Sequence, residues 1–365
     1  MIDNQKSTKE KANHRMLWKQ MGCGLLFVIC MVLTLLRPAR ADKQIRLTFT
    51  GDVTLGSEEA LKDEEDSFVS FAQREGFDYF LEQVKPLFEQ DDLTIVNLEG
   101  VLSDSSDGEN KEKTYRFRGP MDFAKILSGS SVEAANLANN HAHDFGEGGY
   151  ADTKTALDRE GVLHFGGEET LIFEKDGIRI GFVGMSYTEE TRRERERVQD
   201  EIRRLKEEEG VSAVIFCYHG GREYSKGRTQ KQMDVAKTMI RAGADLVIMH
   251  HPHVVEGMSR FYNRSVCYSL GNFCFGGNKR VKALESLVVC ATLHFSDDGV
   301  YLGQQLELHA AHTSGTKKKS NFQPYLVSGD EARKVFRLVR DDTRYKFPPL
   351  DEEKNCVVLD YLPAE

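Results

Sequence analysis

The chain has no excess of positive charge. Its 49 Lys and Arg residues are outnumbered by 58 Asp and Glu, a formal net charge of -9. The basic footprint of a nucleic-acid binder is therefore missing, and nucleic acid is not an expected partner. Paired cysteines are missing too. There are seven cysteines, an odd number, with no CxxC spacing, which excludes a disulfide framework and a structural thiolate zinc site. Cys217, Cys267 and Cys290 fall in strand-like runs and read as small apolar core residues; one bridge, Cys267 to Cys274, stays open. Internal repeats are absent. The uncharged stretch 21–36 is sixteen residues long, short of the roughly 20 that span a bilayer as a helix.

That stretch still has the grammar of export. Lys6, Lys9, Lys11, Arg15 and Lys19 precede it, and a basic flank before an apolar run keeps the N-terminus inside and sends the rest out. Two readings are expected: a cytoplasmic basic segment 1–20 followed by a signal anchor at 21–41, or a signal peptide cleaved after Ala39-Arg40-Ala41. The first makes a single-pass membrane protein with an extracellular C-terminal domain, the second a secreted one.

The body alternates strand-like and helix-like segments. Apolar runs at 45–50, 93–97, 132–137, 178–184, 211–218, 246–249, 266–270 and 287–295 read as strands, several of them covered on both faces. Helices are expected at 77–89, 150–159, 189–209 and 229–242, giving an α/β fold. In 189–209 the apolar Val198, Ile202 and Leu205 share one side, and the dense Arg and Glu form a solvated face. The polar stretch 312–321 reads as a mobile loop or a linker, with residues 45–310 as the main domain and 311–365 as a C-terminal extension.

Chemistry concentrates where strands end. Gly51-Asp52, Asn97-Leu98-Glu99-Gly100, Asn139-Asn140-His141 with His143 and Asp144, His219-Gly220-Gly221-Arg222-Glu223, His250-His251-Pro252-His253 and Gly271-Asn272 each follow a predicted strand. Polar residues at the C-terminal ends of successive strands converge on one crevice. Asp, Glu, Asn and His together suit divalent Mn, Fe or Zn. Two such ions would clamp the attacking and departing oxygens of a displacement and acidify a water between them. Asp52 or Glu99 could bridge the pair, and His251 and His253, in an extended segment kinked by Pro252, could serve one ion.

These stretches, with Asp52-Val53-Thr54-Leu55-Gly56, Asp144-Phe145-Gly146 and Tyr268-Ser269-Leu270, resemble the capsule-synthesis CapA family, whose members include the membrane protein of the poly-gamma-glutamate synthase complex. That family is similar to calcineurin-like metallophosphoesterases. The resemblance implies a four-layer α-β-β-α sandwich and two divalent metals held by Asp52, Glu99, Asn140, His219, His251 and His253. It makes His141 the leaving-group acid or transition-state stabiliser, with Asp144 beside it in the catalytic set. Val53-Thr54 replace the Asp-x-His continuation of the related phosphoesterases, and Glu99 stands where they carry a bridging Asp. The resemblance further implies a cell-surface protein of capsule or polyglutamate biosynthesis with a hydrolase site for an envelope polymer or phosphoester, working beside polyglutamate synthase subunits. The alternatives are a non-catalytic anchored scaffold of the synthase and a secreted metal-dependent phosphoesterase.

Overall fold

The computed structural model describes residues 43–277 and 280–364. The expected segments 1–20 and 21–41 lie outside the described residues. Among the described residues no helix is long and apolar enough to cross a membrane.

The chain first lays down parallel strands β1 (Lys43–Thr54), β2 (Leu93–Leu98), β3 (Ala134–Asn136) and β4 (Leu163–Phe165). It then builds a second, six-stranded sheet from β5 (Leu171–Lys175), β6 (Ile178–Ser186), β7 (Ala213–His219), β8 (Leu246–His250), β9 (Met258–Phe261) and β10 (Arg264–Cys267). It returns to the first sheet with β11 (Asn272–Phe275), β12 (Glu285–Phe295) and β13 (Tyr301–His312). The longer helices that cover these sheets are α1 (Phe68–Glu75), α2 (Gly146–Arg159), α3 (Arg192–Glu207), α4 (Gln230–Ala242) and α5 (Gly329–Asp341).

Side-chain alternation explains the layering. All seven residues of β7 are buried, because both of its faces are covered. Ile215 and Cys217 point into the cluster between the sheets, where they meet Leu47, Phe49 and Ile95 of the first sheet. Val214, Phe216 and Tyr218 point the other way, under α3 and α4, and pack with Val198, Ile202, Leu205 and Val235. The outer face of the first sheet offers Val96, Leu98 and Ala135 to Phe68 of α1 and Leu157 of α2. Helix layers thus lie outside two facing sheets.

Several segments differ from their sequence reading. Residues 77–89 are turns with a single helical turn, Lys85–Phe88. Pro86 has no N–H to give to a continuing helix, and the real helix, α1, starts earlier on the Ser67 cap. The expected boundary at 310 falls inside β13, and α5 packs Ala332, Val335, Phe336 and Val339 into the inter-sheet core. The segment 312–321 is a closed loop, tied by Ser314 Oγ donating to Asn321 Oδ1 at 2.7 Å and by the Gly315 N–H to the same oxygen at 2.9 Å. No Cys267–Cys274 bridge forms: both thiols are free and buried, and Cys274 donates to the Phe322 carbonyl.

The strand that matters most for the site is β1. It pairs with β12 as far as Phe49 and then, from Asp52, with β11 in parallel. Its register against β2 shifts over the same residues, a bulge that re-aims a side chain. Gly51 makes the switch possible: a methyl there would sit 2.2 Å from the Gly271 carbonyl oxygen, which accepts the Asp52 N–H at 2.8 Å. Gly51→Ala is expected to cost about 1–3 kcal/mol through overpacking. An unchanged midpoint in chemical denaturation would contradict this close approach.

Candidate metal centre

Strands β1, β2 and β3 of one sheet and β7 and β8 of the other end at a common edge, and their last residues face one another. Asp52 comes from the β1 bulge, Glu99 from the residue after β2, His219 from the end of β7, and His251 and His253 from the turn after β8. Asn140 and His141 come from the turn after β3.

Asp52, Glu99 and His219 offer ligand atoms that all lie within 4.8 Å of one another, and so do Glu99, His251 and His253. Glu99 belongs to both groups. Its Oε1 lies 3.7 Å from His141 Nε2, 3.7 Å from His219 Nε2 and 3.8 Å from His253 Nε2. The carboxylate is fully buried, and neither oxygen accepts a hydrogen bond. His251 Nδ1 is orphaned as well. A buried carboxylate left bare carries a heavy desolvation penalty, so the donor set fits two divalent cations sharing Glu99.

Amides hold the cluster in register. Asn97 Nδ2 donates to Asp52 Oδ1 at 2.9 Å and lies 3.1 Å from His219 Nδ1. Asn136 Nδ2 in turn donates to Asn97 Oδ1 at 2.8 Å. Asn140 Oδ1 meets His219 Nε2 at 2.7 Å, and Asn272 Oδ1 meets His253 Nδ1 at 2.8 Å. His250 reaches away from the cluster to the Thr50 carbonyl at 2.9 Å, pinning the two sheets together. The segment 251–253 is not extended, as its sequence suggested: His251 has φ 97° and His253 φ 56°. Such non-glycine conformations cost energy and collect at functional sites.

His141 stands at the edge of the cluster. Its Nδ1 meets Asp144 Oδ2 at 2.7 Å. Asp144 also accepts the Phe117 N–H at 2.8 Å and pairs with Lys113 Nζ. The eight residues singled out from the sequence therefore come together, whereas His143 turns outward to Glu147 at 3.3 Å. Sequence reasoning gave no role to Asn97, Asn136, His250 or Lys113. Asn97 and His250 carried a usable signal as polar residues closing apolar strands; Lys113, in a polar loop, carried none.

The electrostatics follow from burial among like and unlike charges. Burial pushes Asp52 up, but the hydrogen bond to His253 and the field of three imidazoles win, and its carboxyl is held below the ordinary value. Glu99 lacks hydrogen bonds, and burial drives it well above its ordinary value despite the attraction of His253. Burial pushes His219 well down and His251 down to about 4. His253 is driven down by burial, yet the carboxylates of Glu99 and Asp52 override this and raise it to about 9.

A raised imidazole must lose its proton to ligate a cation. Cation binding near pH 7.5 is thus expected to release on the order of one proton from His253, and affinity should climb with pH up to about 9. Calorimetry in buffers of different ionisation enthalpy measures the release, and a buffer-independent enthalpy would contradict it. In the cation-free protein the His253 ion pairs stabilise the fold fully below pH 6.5 and are lost as pH rises through about 9.

The description "Bacterial capsule synthesis protein PGA_cap" matches residues 46–277. The chain is similar to the capsule biosynthesis protein CapA of Bacillus anthracis, with 25% identity over 328 residues, 83% of this chain and 75% of that one. It is also similar to the PGA biosynthesis protein CapA of Bacillus subtilis (strain 168), with 25% identity over 310 residues, 79% of this chain and 78% of that one. Among solved structures, TT1561 of Thermus thermophilus aligns with a TM-score of 0.38 and 12% identity, covering 67% of this chain and 94% of that one.

Proposed function

The chain belongs to the bacterial capsule synthesis protein family PGA_cap, and on that premise we propose that it is a metal-dependent, metallophosphoesterase-like hydrolase of the cell surface in capsule or poly-gamma-glutamate biosynthesis. The observation that carries this reading is Glu99, a buried carboxylate with two bare oxygens, shared by two ligand groups. Asp52, Glu99, Asn140, His219, His251 and His253 would hold two divalent cations, Mn, Fe or Zn. When bound, such ions supply Lewis-acid polarisation of the substrate and an acidified water.

The chain's own residues do the rest. Asp144 fixes the His141 ring through Nδ1 and leaves Nε2 facing the cluster. Burial lowers the His141 pKa, against the pull of Asp144. An anionic phosphoryl group arriving at Nε2 favours the protonated ring by the Coulombic logic that raises His253. His141 then gives its Nε2 proton to the departing oxygen as the bond from phosphorus to that oxygen breaks. Lys113 and the Phe117 N–H keep Asp144 in place. Tyr187 and Phe117, ring to ring with His251 and His141 at 4.6 and 4.4 Å, wall the site.

Residues 1–41 would anchor this domain outside the cell membrane, or release it after Ala41, with synthase subunits and an envelope polymer as its neighbours. Thr54, standing where related phosphoesterases place a histidine, favours a second reading as a non-catalytic scaffold. Glu99→Gln is expected to lose most of the bound metal, measured by elemental analysis of the purified full chain. His141→Ala should keep the metal and lose about 10²–10⁴-fold in hydrolysis of bis(p-nitrophenyl) phosphate. Full metal content in Glu99→Gln would sink the site, and absent hydrolysis in a metal-loaded wild type would favour the scaffold.

A further inference from the structure

Helix α5 buries Ala332, Val335, Phe336 and Val339 and turns a row of arginines outward. Arg333, Arg337 and Arg340 are exposed. They stand at i, i+4 and i+7, so their stems leave one side of the helix about 6 and 4.5 Å apart along its axis. The three line a groove of about 300 Å³ whose residues all lie outside the metal centre.

The facing wall is apolar. It is the segment Phe347-Pro348-Pro349-Leu350, with the buried Phe336 of α5 beside it. Phe347 and Leu350 pack against the inter-sheet core, which fixes the wall in place. Pro348 and Pro349 have no N–H and a locked φ, so the wall is stiff and offers a ligand apolar surface more than hydrogen bonds.

Charge gives the other side its sign. The lining holds three arginines and one acid, Glu352. Arg333 takes that acid and also Asp330, the latter at 3.0 Å. Arg340 pairs with the adjacent Asp341 at 3.0 Å. Asp342 turns away from the groove, to Arg228 and the Gly257 N–H. Among the described residues Arg337 makes no ion pair. Ion pairs as exposed as those of Arg333 and Arg340 contribute little, so a ligand anion can replace them.

A row of guanidiniums opposite an apolar wall selects an amphiphile. A purely apolar ligand would leave the arginines unused, and a bare anion would leave the wall wet. A carboxylate is planar and is satisfied by one guanidinium fork. A phosphate monoester has three free oxygens and accepts from two forks at once, which neighbouring arginines on one helix side supply and lysine ammoniums do not.

We propose that this groove binds a phosphate monoester that carries an apolar chain. Arg337 and Arg340 grip the phosphate, and the chain lies along Phe347 to Leu350. The site is separate from the metal centre and stands whether or not the hydrolase reading holds.

The test titrates the full chain calorimetrically with hexylphosphonate, whose phosphorus–carbon bond resists hydrolysis. Wild type and the metal-site variant Glu99→Gln should bind it alike. Arg337→Glu/Arg340→Glu should bind at least about tenfold more weakly, with its circular dichroism and metal content unchanged. Methylphosphonate, which lacks the chain, should bind wild type at least about tenfold more weakly than hexylphosphonate. Equal binding by the double variant, or of methylphosphonate, would overturn the proposal. So would binding lost in Glu99→Gln and kept in the double variant, which would put the ligand at the metal centre. Arg337→Lys/Arg340→Lys keeps the charge and removes the forks; full binding there, or heptanoate binding as tightly as hexylphosphonate, would overturn the choice of phosphate. Vesicles of phosphatidylcholine with phosphatidic acid should displace hexylphosphonate if a bilayer supplies the phosphate, and should leave it bound if the ligand is a free phosphorylated amphiphile.

Discussion

A carboxylate sealed from water with nothing to accept from is the constraint around which this molecule is arranged. Glu99 sits among the imidazoles of His141, His219 and His253, and no amide or hydroxyl reaches its oxygens. In a low-dielectric interior such a group either takes up a proton or finds a cation. Burial holds two of its neighbours, His141 and His219, neutral, with the lone pairs that a cation needs, while His253 carries the proton that a cation would displace. Asp52 presents the opposite case, since hydrogen bonds and imidazole charge keep it ionised at the same depth.

The double sheet makes that burial possible. Two sheets facing across one apolar core bring their parallel strand ends to one edge, so residues about 200 positions apart, such as Thr50 and His250, touch directly. The first sheet alone would present Asp52, Glu99 and His141 to solvent; the second closes over them with His219, His251 and His253. Close approach requires small residues and tolerated strain. Gly51 lets β1 slide beneath the Gly271 carbonyl, and the positive φ angles of His251 and His253 turn two rings inward whose centroids are 5.8 Å apart. The amide chain Asn136 to Asn97 to Asp52 then fixes the carboxylate that has partners, leaving the other bare.

Much of this was legible before any coordinates. Strand β7 reads as a continuous apolar run because both faces are covered, and its closing His219 is conspicuous for that reason. In α3 the spacing of Val198, Ile202 and Leu205 identifies the buried side, and its Arg–Glu pairs, such as Arg204 with Glu201 at 2.9 Å, lie on the other. Reading failed where local pattern and tertiary context part. The 77–89 segment has helical periodicity but a proline in its path. β13 alternates too loosely to stand out, and α5 lies beyond the last motif, so a core element was taken for an appendage.

The sequence by itself determined the α/β class, the strand ends that carry chemistry, and the residue types that favour divalent cations over thiolate zinc or nucleic acid. Those properties are written in local periodicity and in side-chain chemistry, which need no partner to be read. Only the tertiary structure decided that Glu99, and not Asp52, is the carboxylate common to both ligand groups, and that His143 turns away while His141 turns in. Each of these depends on distances between segments far apart in the chain. Such distances are set by how the two sheets pack, and no run of neighbouring residues encodes them.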